Sequence, residues 1–394
     1  MKMKTVPIVV VAYNRTGPLQ RLLDSLNAAE YNAKNVPLII SIDKGENRAV
    51  EELAERFAWR HGEKTIICQK EKLGLRRHIP LCGDFALRYG SVIILEDDLF
   101  VSRYFYAYAV QALEFCAKQD RIAGVSLYRH RFNVEASEPF ECLDDAYDNW
   151  YLQFASSWGE AWTDRQWKAF RAWYDNAPCI DQRTDVPAYV RKWPDSSWLK
   201  YFISYLIEKD LYFLYPKKSL TTNFGEAGTH MNTSNTNYQV PLQHGRMEYR
   251  FCAPEESQAV YDAFFESNAI KRILAERGFD AAVDLYGQKP AASVKTRYLL
   301  TRQPLPRKVV RSYGCCMRPH EDNILYDIDG SDFFLYDMRE KGKAPKVDRV
   351  RKAQYNLQNV DRRQYIAVLR MFARKTAAGL KRRLRNMTKR GKRT

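Results

Sequence analysis

The 394-residue chain has no apolar run near the ~18 residues that a membrane-spanning helix requires, and it is read as not integral to a membrane. Its start, Met1-Lys2-Met3-Lys4 followed by Val6 to Ala12, imitates a signal peptide. The apolar part is too short for one, however, and it runs into Tyr13-Asn14-Arg15 with no small-residue cleavage site. A buried strand at the start of a cytoplasmic protein is the expectation. None of the eight cysteines forms a C-x-x-C pair, and the six histidines lack companion spacing for structural zinc, so free thiols in a reducing compartment are expected. No G-x-G-x-x-G follows the first apolar segment, and G-x-x-x-x-G-K-[ST] and G-x-S-x-G are missing. These absences remove the dinucleotide fingerprint, the P-loop and the α/β-hydrolase elbow.

What is present is a globular composition, 45% hydrophobic and 13% aromatic, enough to bury a large core. The net charge of +16 is unevenly placed. Met371 to Thr394 carries ten Lys or Arg and no acid, leaving only +6 on the remainder. The basic balance therefore belongs to a terminal appendage rather than to the body, and nucleic acid is not the expected partner.

Residues 5–128 alternate apolar β-rich runs with amphipathic helical ones. Pro7 to Tyr13, Pro37 to Ile42, Lys64 to Gln69, Ser91 to Leu95 and Ile122 to Leu127 read as strands buried on both faces of a parallel sheet. Between them Leu19/Leu22/Leu23/Leu26, Val50/Leu53/Ala54/Phe57, Leu81/Phe85/Ala86 and Phe105/Tyr108/Ala109/Ala112 mark helix faces. The fold class is α/β, a mostly parallel Rossmann-like sheet flanked by helices. A Trp-rich lobe is expected to continue it from 129 to 250, followed by an extension over 251–363 that begins helical to about 285 and then loses periodicity. A basic helical tail is expected over 364–394.

Ligands of such sheets bind beyond the carboxyl ends of the strands. Glu96-Asp97-Asp98 directly follows SVIIL there. Three adjacent carboxylates repel one another and call for a cation, and their hard oxygens suit Mg²⁺ or Mn²⁺ with water and phosphate completing the shell. A solvated acidic turn is the plainer alternative. Asn14-Arg15, Asp43-Lys44-Gly45 and Lys72 to His78 fall at the neighbouring strand ends, where a carboxylate, a guanidinium and an imidazole suit a base and ribose while the metal takes a diphosphate.

The succession VVVAYNR, SIDKG, LGLRRHI and VIILEDDLFVSRYFYAYAVQAL, continued by WGEAWTDRQWKAF, WPDSSW and YPKKSLTTNFGEAGTH, resembles the GT-A nucleotide-sugar glycosyltransferases. Within them it is most similar to the N-acetylglucosaminyltransferase I family and its bacterial relatives, over roughly residues 6–232. The resemblance implies Asp98 as metal ligand, Asp97 near the ribose or metal, Glu96 near the donor sugar, and Arg15, Asp43 and His78 around uridine. It also implies a Gly-hinged loop, Phe224-Gly225-Glu226 through Gly228 and His230, ordering over the donor and shaping the acceptor site. The family's paired acids near the base are not matched, since Leu199-Lys200 follows Trp198. Asp195, three before that Trp as in bacterial relatives, takes the role of base, with Glu160 in reserve. A helix N-cap is the structural alternative for Asp195.

The implied reaction is inverting transfer from a UDP-sugar, UDP-N-acetylglucosamine foremost, to a glycan or lipid-linked saccharide, with Mn²⁺ or Mg²⁺ as cofactor. Trp158, Trp162 and Trp198 are candidates for stacking on sugar faces, although Trp at such spacing is more often core. Two other readings stay open, a metal-dependent nucleotidyltransferase or nuclease using the triplet, and a nucleic-acid binder anchored by its tail. The tail itself, with Tyr365, Leu369, Phe372 and Leu380 beside dense charge, is expected to meet an anionic membrane surface from the cytoplasmic side, against the alternative of a solvated tail.

Overall fold

The computed structural model describes residues 5–46, 48–177, 179–226, 236–357 and 361–390. The chain forms two compact units, Met1–Pro345 and Lys346–Thr394.

The first unit opens with β1 (Ile8–Ala12), α1 (Thr16–Asn27), β2 (Leu38–Ile42), α2 (Ala49–Arg56), β3 (Lys64–Cys68), α3 (Leu75–Gly83), α4 (Phe85–Tyr89), β4 (Ser91–Glu96), the short β5 (Leu99–Val101), α5 (Phe105–Cys116) and β6 (Ile122–Ser126). Every residue of β1, β2 and β6 is buried, because helices cover both faces of the sheet and the β-branched runs leave no polar side to solvate. The edge strand β3 is only half-buried. In α1 the apolar stripe Leu19, Leu22, Leu23 and Leu26 is buried, and in α5 Phe105, Tyr108, Ala109 and Ala112 are. Leu81 departs from expectation and is exposed. Its spacing from Phe85 and Ala86 suits one continuous helix face, whereas the structure breaks that stretch into α3 and α4, and α3 buries His78, Ile79 and Cys82 instead.

The chain then adds β7 (Phe132–Asn133) and β8 (Glu138–Pro139), β9 (Asn149–Leu152), β10 (Glu160–Thr163), α6 (Asp164–Tyr174), α7 (Ala188–Arg191), α8 (Trp198–Glu208), β11 (Tyr212–Pro216), β12 (Thr221–Asn223) and β13 (Val260–Tyr261). Strands β7 and β8 pair with each other. The main sheet runs β13-β9-β11-β6-β10-β4-β1-β2-β3. It is parallel from β4 to β3, while β10 lies antiparallel to both β4 and β6. The result is a mixed α/β unit whose large, mostly parallel sheet is flanked by helices. Strands β9, β10 and β11 of the Trp-rich stretch join the same sheet as β1 to β4 and β6. Trp162 and Trp198 are core residues with Trp150 and Trp167, and only Gly at 83 leaves room for the Trp167 ring, which a Cβ would meet at 1.9 Å. Helix α6 starts at a capping box, Thr163 with Gln166, and α8 at Ser197, a hydroxyl cap of about 1 kcal/mol.

The expected helix over 251–285 is shorter than its pattern. Helix α9 (Asn268–Glu276) lies between β13 and β14 (Ala281–Asp284). The aperiodic stretch after 290 holds β15 (Tyr298–Thr301), β16 (Arg307–Tyr313), α10 (His320–Leu325) and β17 (Phe333–Lys341), forming a four-stranded sheet in the order β14-β15-β17-β16. Register shifts within β16 against β17 erase the two-residue alternation by which a strand is recognised. The second unit contains α11 (Arg349–Asn356) and α12 (Tyr365–Arg390), the latter where the basic helix was expected. Among the described residues no helix is long and apolar enough to cross a membrane.

Candidate active site

Strands β1 and β4 are hydrogen-bonded neighbours with Val11 opposite Glu96, so the segments leaving their carboxyl ends, Tyr13-Asn14-Arg15 and Asp97-Asp98, emerge side by side. Strand β2, on the far side of β1, ends at Asp43, whose amide donates to the Ala12 carbonyl at 2.9 Å. These ends form the floor of a cleft of about 420 Å³ lined by, among others, Arg15, Asp43, His78, Glu96, Asp97, Asp98 and Glu226.

The Arg15 guanidinium bridges two of the carboxylates, bonding Oδ1 of Asp97 and lying 3.1 Å from Oδ2 of Asp98. Burial works against the charged guanidinium, but the two acids outweigh it and raise its pKa. The other oxygen of Asp98, Oδ1, is buried and has no hydrogen-bond partner among the described residues. Burial, then repulsion from Asp98 and Asp97, pushes Glu96 up to about 8. Asp97 goes up to about 6, again through burial, with Arg15 pulling the other way. A divalent cation fits this set: the donors are hard oxygens, one is orphaned, and one arginine does not neutralise Asp97 and Asp98 together. Among the described residues no group of three or more His, Cys, Asp and Glu is arranged to enclose a metal, so Asp98 would hold it with oxygens from the ligand and water.

Asp43 organises the loop that closes the other end. Its Oδ1 accepts from the amides of Lys44 and Leu73, each at 2.8 Å, and its Oδ2 from Gly74 at 2.9 Å. Gly74 sits at φ +67°, a left-handed backbone that side chains resist, and it begins α3. His78 stands one turn into α3, buried, with Nε2 2.7 Å from Ser41 Oγ on β2. Burial lowers its pKa, and Asp43 only partly opposes this, so near neutral pH the ring is an uncharged hydrogen-bonding group. Lys72 lies over the Tyr13 ring at 5.1 Å.

The roof comes from far along the chain. Strands β5 and β12 pair antiparallel with Leu99 opposite Asn223, which fixes the Phe224 segment against the residue following Asp98. Gly225, at φ +64°, donates to Asn223 Oδ1 at 2.6 Å. Glu226 makes a two-pronged ion pair with Arg21 of α1, at 3.1 and 3.0 Å, while that guanidinium covers the Phe224 ring at 3.8 Å. Gly228 and His230 lie outside the described residues. Of the three tryptophans considered for stacking, only Trp158 lines the cleft, packed at 4.6 Å on Tyr238 and 4.7 Å on Tyr128. Trp162 and Trp198 are enclosed in the core.

The two candidate bases are placed differently. Neither Glu160 nor Asp195 lines the cleft. Glu160 is buried on β10 beside β4, and burial followed by repulsion from Glu96 raises its pKa well above the carboxylate range. Both effects favour the uncharged form of this carboxyl. Asp195 stands at the rim with an exposed carboxylate 3.2 Å from Lys200 Nζ, while its carbonyl accepts from Arg76 at 3.0 Å. Ser197, not Asp195, caps α8, and Ser196 between them enters the cleft. Sequence reasoning did not single out Asn223, Ser196 or Tyr238. Their contribution arises from the β5–β12 register and from a loop return, neither of which leaves a local pattern.

No protein-family model and no curated protein matches the chain. Among solved structures it is similar to the mannosyltransferase PcManGT from Pyrobaculum calidifontis in complex with GDP-Man and Mn²⁺, with 16% identity, a TM-score of 0.31, and 48% of this chain and 50% of that one covered. It is also similar to S. aureus TarS 1–349 in complex with UDP-GlcNAc, with 10% identity, a TM-score of 0.36, and 59% and 61% covered. The chain thus spans less than two thirds of either. The likeness is weak, and it is the cleft itself that carries the functional reading.

Proposed function

We propose that the chain is a metal-dependent, inverting glycosyltransferase of the GT-A kind, related to N-acetylglucosaminyltransferase I and its bacterial relatives. It would move a sugar from a UDP-sugar, UDP-N-acetylglucosamine foremost, to a saccharide or lipid-linked acceptor at the cytoplasmic side of a membrane. One observation supports this above the rest: Asp98, with a buried oxygen lacking a partner, shares a cleft at the strand ends with Arg15, Asp43 and His78. That combination suits a nucleoside diphosphate, a polar base and ribose at one end and a cation site at the other.

In this reading Asp98 would hold Mn²⁺ or Mg²⁺, while Arg15 keeps its Oδ2 in place. The metal, when bound, supplies charge neutralisation for the departing diphosphate. Asp43 fixes the Leu73–Gly74 amides and, with neutral His78, forms the uridine end. Glu96 and Asp97 line the donor sugar and ribose. Trp158 and Tyr238 offer an aromatic wall to a sugar face, and the Phe224–Glu226 segment closes the acceptor side. Asp195 removes the acceptor proton, from the side of the cleft that Ser196 enters, as the donor carbon becomes oxocarbenium-like.

The test is a panel of UDP-sugars with and without Mn²⁺, read as thermal protection and as release of UDP. Mn²⁺-dependent protection by at least one of them is expected. Protection by nucleoside triphosphates and a sugar phosphate instead would transfer the cleft to nucleotidyl transfer.

A further inference from the structure

The segment that carries Tyr238 continues into a second cavity of about 350 Å³. Arg129 and Arg131, beyond β6, form one part of its wall. Lys217, Lys218 and Ser219, beyond β11, form another, and Val240 to Gly245 with Met247 complete it without an acidic residue. Two of the four cations are already neutralised: Arg131 by Glu141 at 2.7 Å and Lys217 by Asp145 at 3.3 Å. Among the described residues Arg129 and Lys218 have no carboxylate partner. Arg129 Nη1 donates to the Lys217 carbonyl at 2.7 Å, but its Nε is buried with nothing to donate to. Lys218 Nζ donates to the Met247 sulfur at 3.9 Å.

The frame around these charges is hydrogen-bonded in advance. The Arg129 amide donates to Ser219 Oγ at 2.9 Å, the Gln243 amide to the Ser219 carbonyl at 2.8 Å, and Leu220 to Leu127 at 2.7 Å. A planar fork and a point charge without counter-ions match a phosphoryl group. The volume exceeds what one phosphate fills, and Val240, Pro241, Leu242 and Met247 give the remainder an apolar lining suited to the C–H face of a sugar ring. The cavity is also close to the cleft. Ser219 lines one and Asn223 the other, four residues apart, which is roughly 13 Å of extended chain. Tyr238 and Val240 bridge them again, through Tyr128 to the Tyr238 carbonyl at 3.0 Å and Val240 to Thr222 Oγ1 at 3.1 Å.

We propose that this cavity is an acceptor subsite for a phosphoryl group, so that the acceptor is a phosphorylated saccharide whose reacting hydroxyl reaches the cleft while its phosphate rests on Arg129 and Lys218. The assignment of an acceptor rests on the glycosyl-transfer reading; the anion site rests on the cavity.

Met247 reports on the cavity directly. The full chain, labelled at its methionine methyls, is titrated with glucose 6-phosphate, inorganic phosphate and glucose, and the Met247 signal is identified by Met247→Leu. Saturable movement with glucose 6-phosphate, weaker movement with inorganic phosphate and none with glucose are expected. Lys218 is exposed, so Lys218→Glu changes the charge without disturbing the core, and it should weaken the sugar phosphate by roughly tenfold or more. An unmoved Met247, an unchanged affinity in Lys218→Glu, or inorganic phosphate binding as tightly as the sugar phosphate overturns the proposal. So does movement confined to Met371 and Met387, which would mark the basic tail as the binder. The two readings fail separately: loss of UDP-sugar protection with the Met247 response intact overturns the donor cleft alone.

Discussion

Arg15 holds Oδ2 of Asp98 at 3.1 Å and leaves Oδ1 of the same carboxylate buried and unpartnered. One arginine and one vacant oxygen on a single acid divide its work between a permanent counter-ion and a transient one. Asp98→Asn should therefore abolish Mn²⁺-dependent UDP-sugar protection and lower turnover roughly a hundredfold or more, the scale of several kcal/mol of lost charge stabilisation. The ligand-free melting temperature should hold or rise, because one charge leaves a crowded cluster. Near-normal turnover in this variant would take the metal away from Asp98.

The position of the base is tested by comparing Asp195→Asn with Glu226→Gln. Asp195 stands at the rim, and Glu226 is the cleft carboxylate on the opposite segment, committed to Arg21. Asp195→Asn is expected to lower turnover by about 10²–10⁴ while UDP-sugar affinity stays within a few-fold. The same signature from Glu226→Gln, with Asp195→Asn active, would move the role to Glu226.

His130 gives the protein a built-in acid sensitivity. Its ring is enclosed by Tyr128, Phe154, Trp158, Tyr215 and Phe265, its Nε2 has no partner, and burial pushes its pKa down to about 3. In the unfolded chain the same ring titrates near 6.5. A depressed folded value means that the unfolded state binds the proton first. The contribution is complete above about 6.5 and is lost as pH falls toward 3, costing about 2 kcal/mol by pH 5. Between pH 7.5 and 5, urea unfolding should lose about 2 kcal/mol more in the wild type than in His130→Phe. Equal losses would mean that the ring is not what senses acid.

The second unit carries its own prediction. Tyr365, Ile366, Leu369 and Phe372 are exposed near the start of α12, ahead of the densest run of lysine and arginine. At about 1 kcal/mol per basic residue near an anionic leaflet, half of the ten charges suffice for peripheral attachment. The protein should sediment with anionic but not neutral vesicles at low salt, and removal of 371–394 should end this without affecting transfer to a soluble acceptor. Sedimentation that survives the deletion would free the tail of this role.

The parallel half of the sheet was legible because each of its strands is a continuous apolar run at a place where no helix-like period competes. The triplet stood out because it directly follows an apolar run at a strand end, and all three of its acids line the cleft. Helix α3 misled at Leu81, since periodicity alone does not show a break between two short helices. Glu160, the reserve base in the WGEAW segment, does not line the cleft, and nothing local in the sequence shows that. Its environment is set by β10 pairing with β4, a contact far apart in the chain. Asn223 and Tyr238 were invisible for the same reason, as their place in the cleft depends on register and return path rather than on residue type.

Strand β10 has a further consequence, for the order in which the protein can be built. Strand β6 touches the rest of the sheet only through β10 and β11, both of which come later in the chain. During synthesis the chain up to 128 therefore holds a four-stranded piece, β4-β1-β2-β3, and a separate unpaired strand. Until Glu160–Thr163 leaves the ribosome, β4 and β6 each keep an apolar edge open to pairing with another chain. A reporter split at 128 would cut between strands that have not yet met, so split or permuted forms of this protein should keep 5–216 intact.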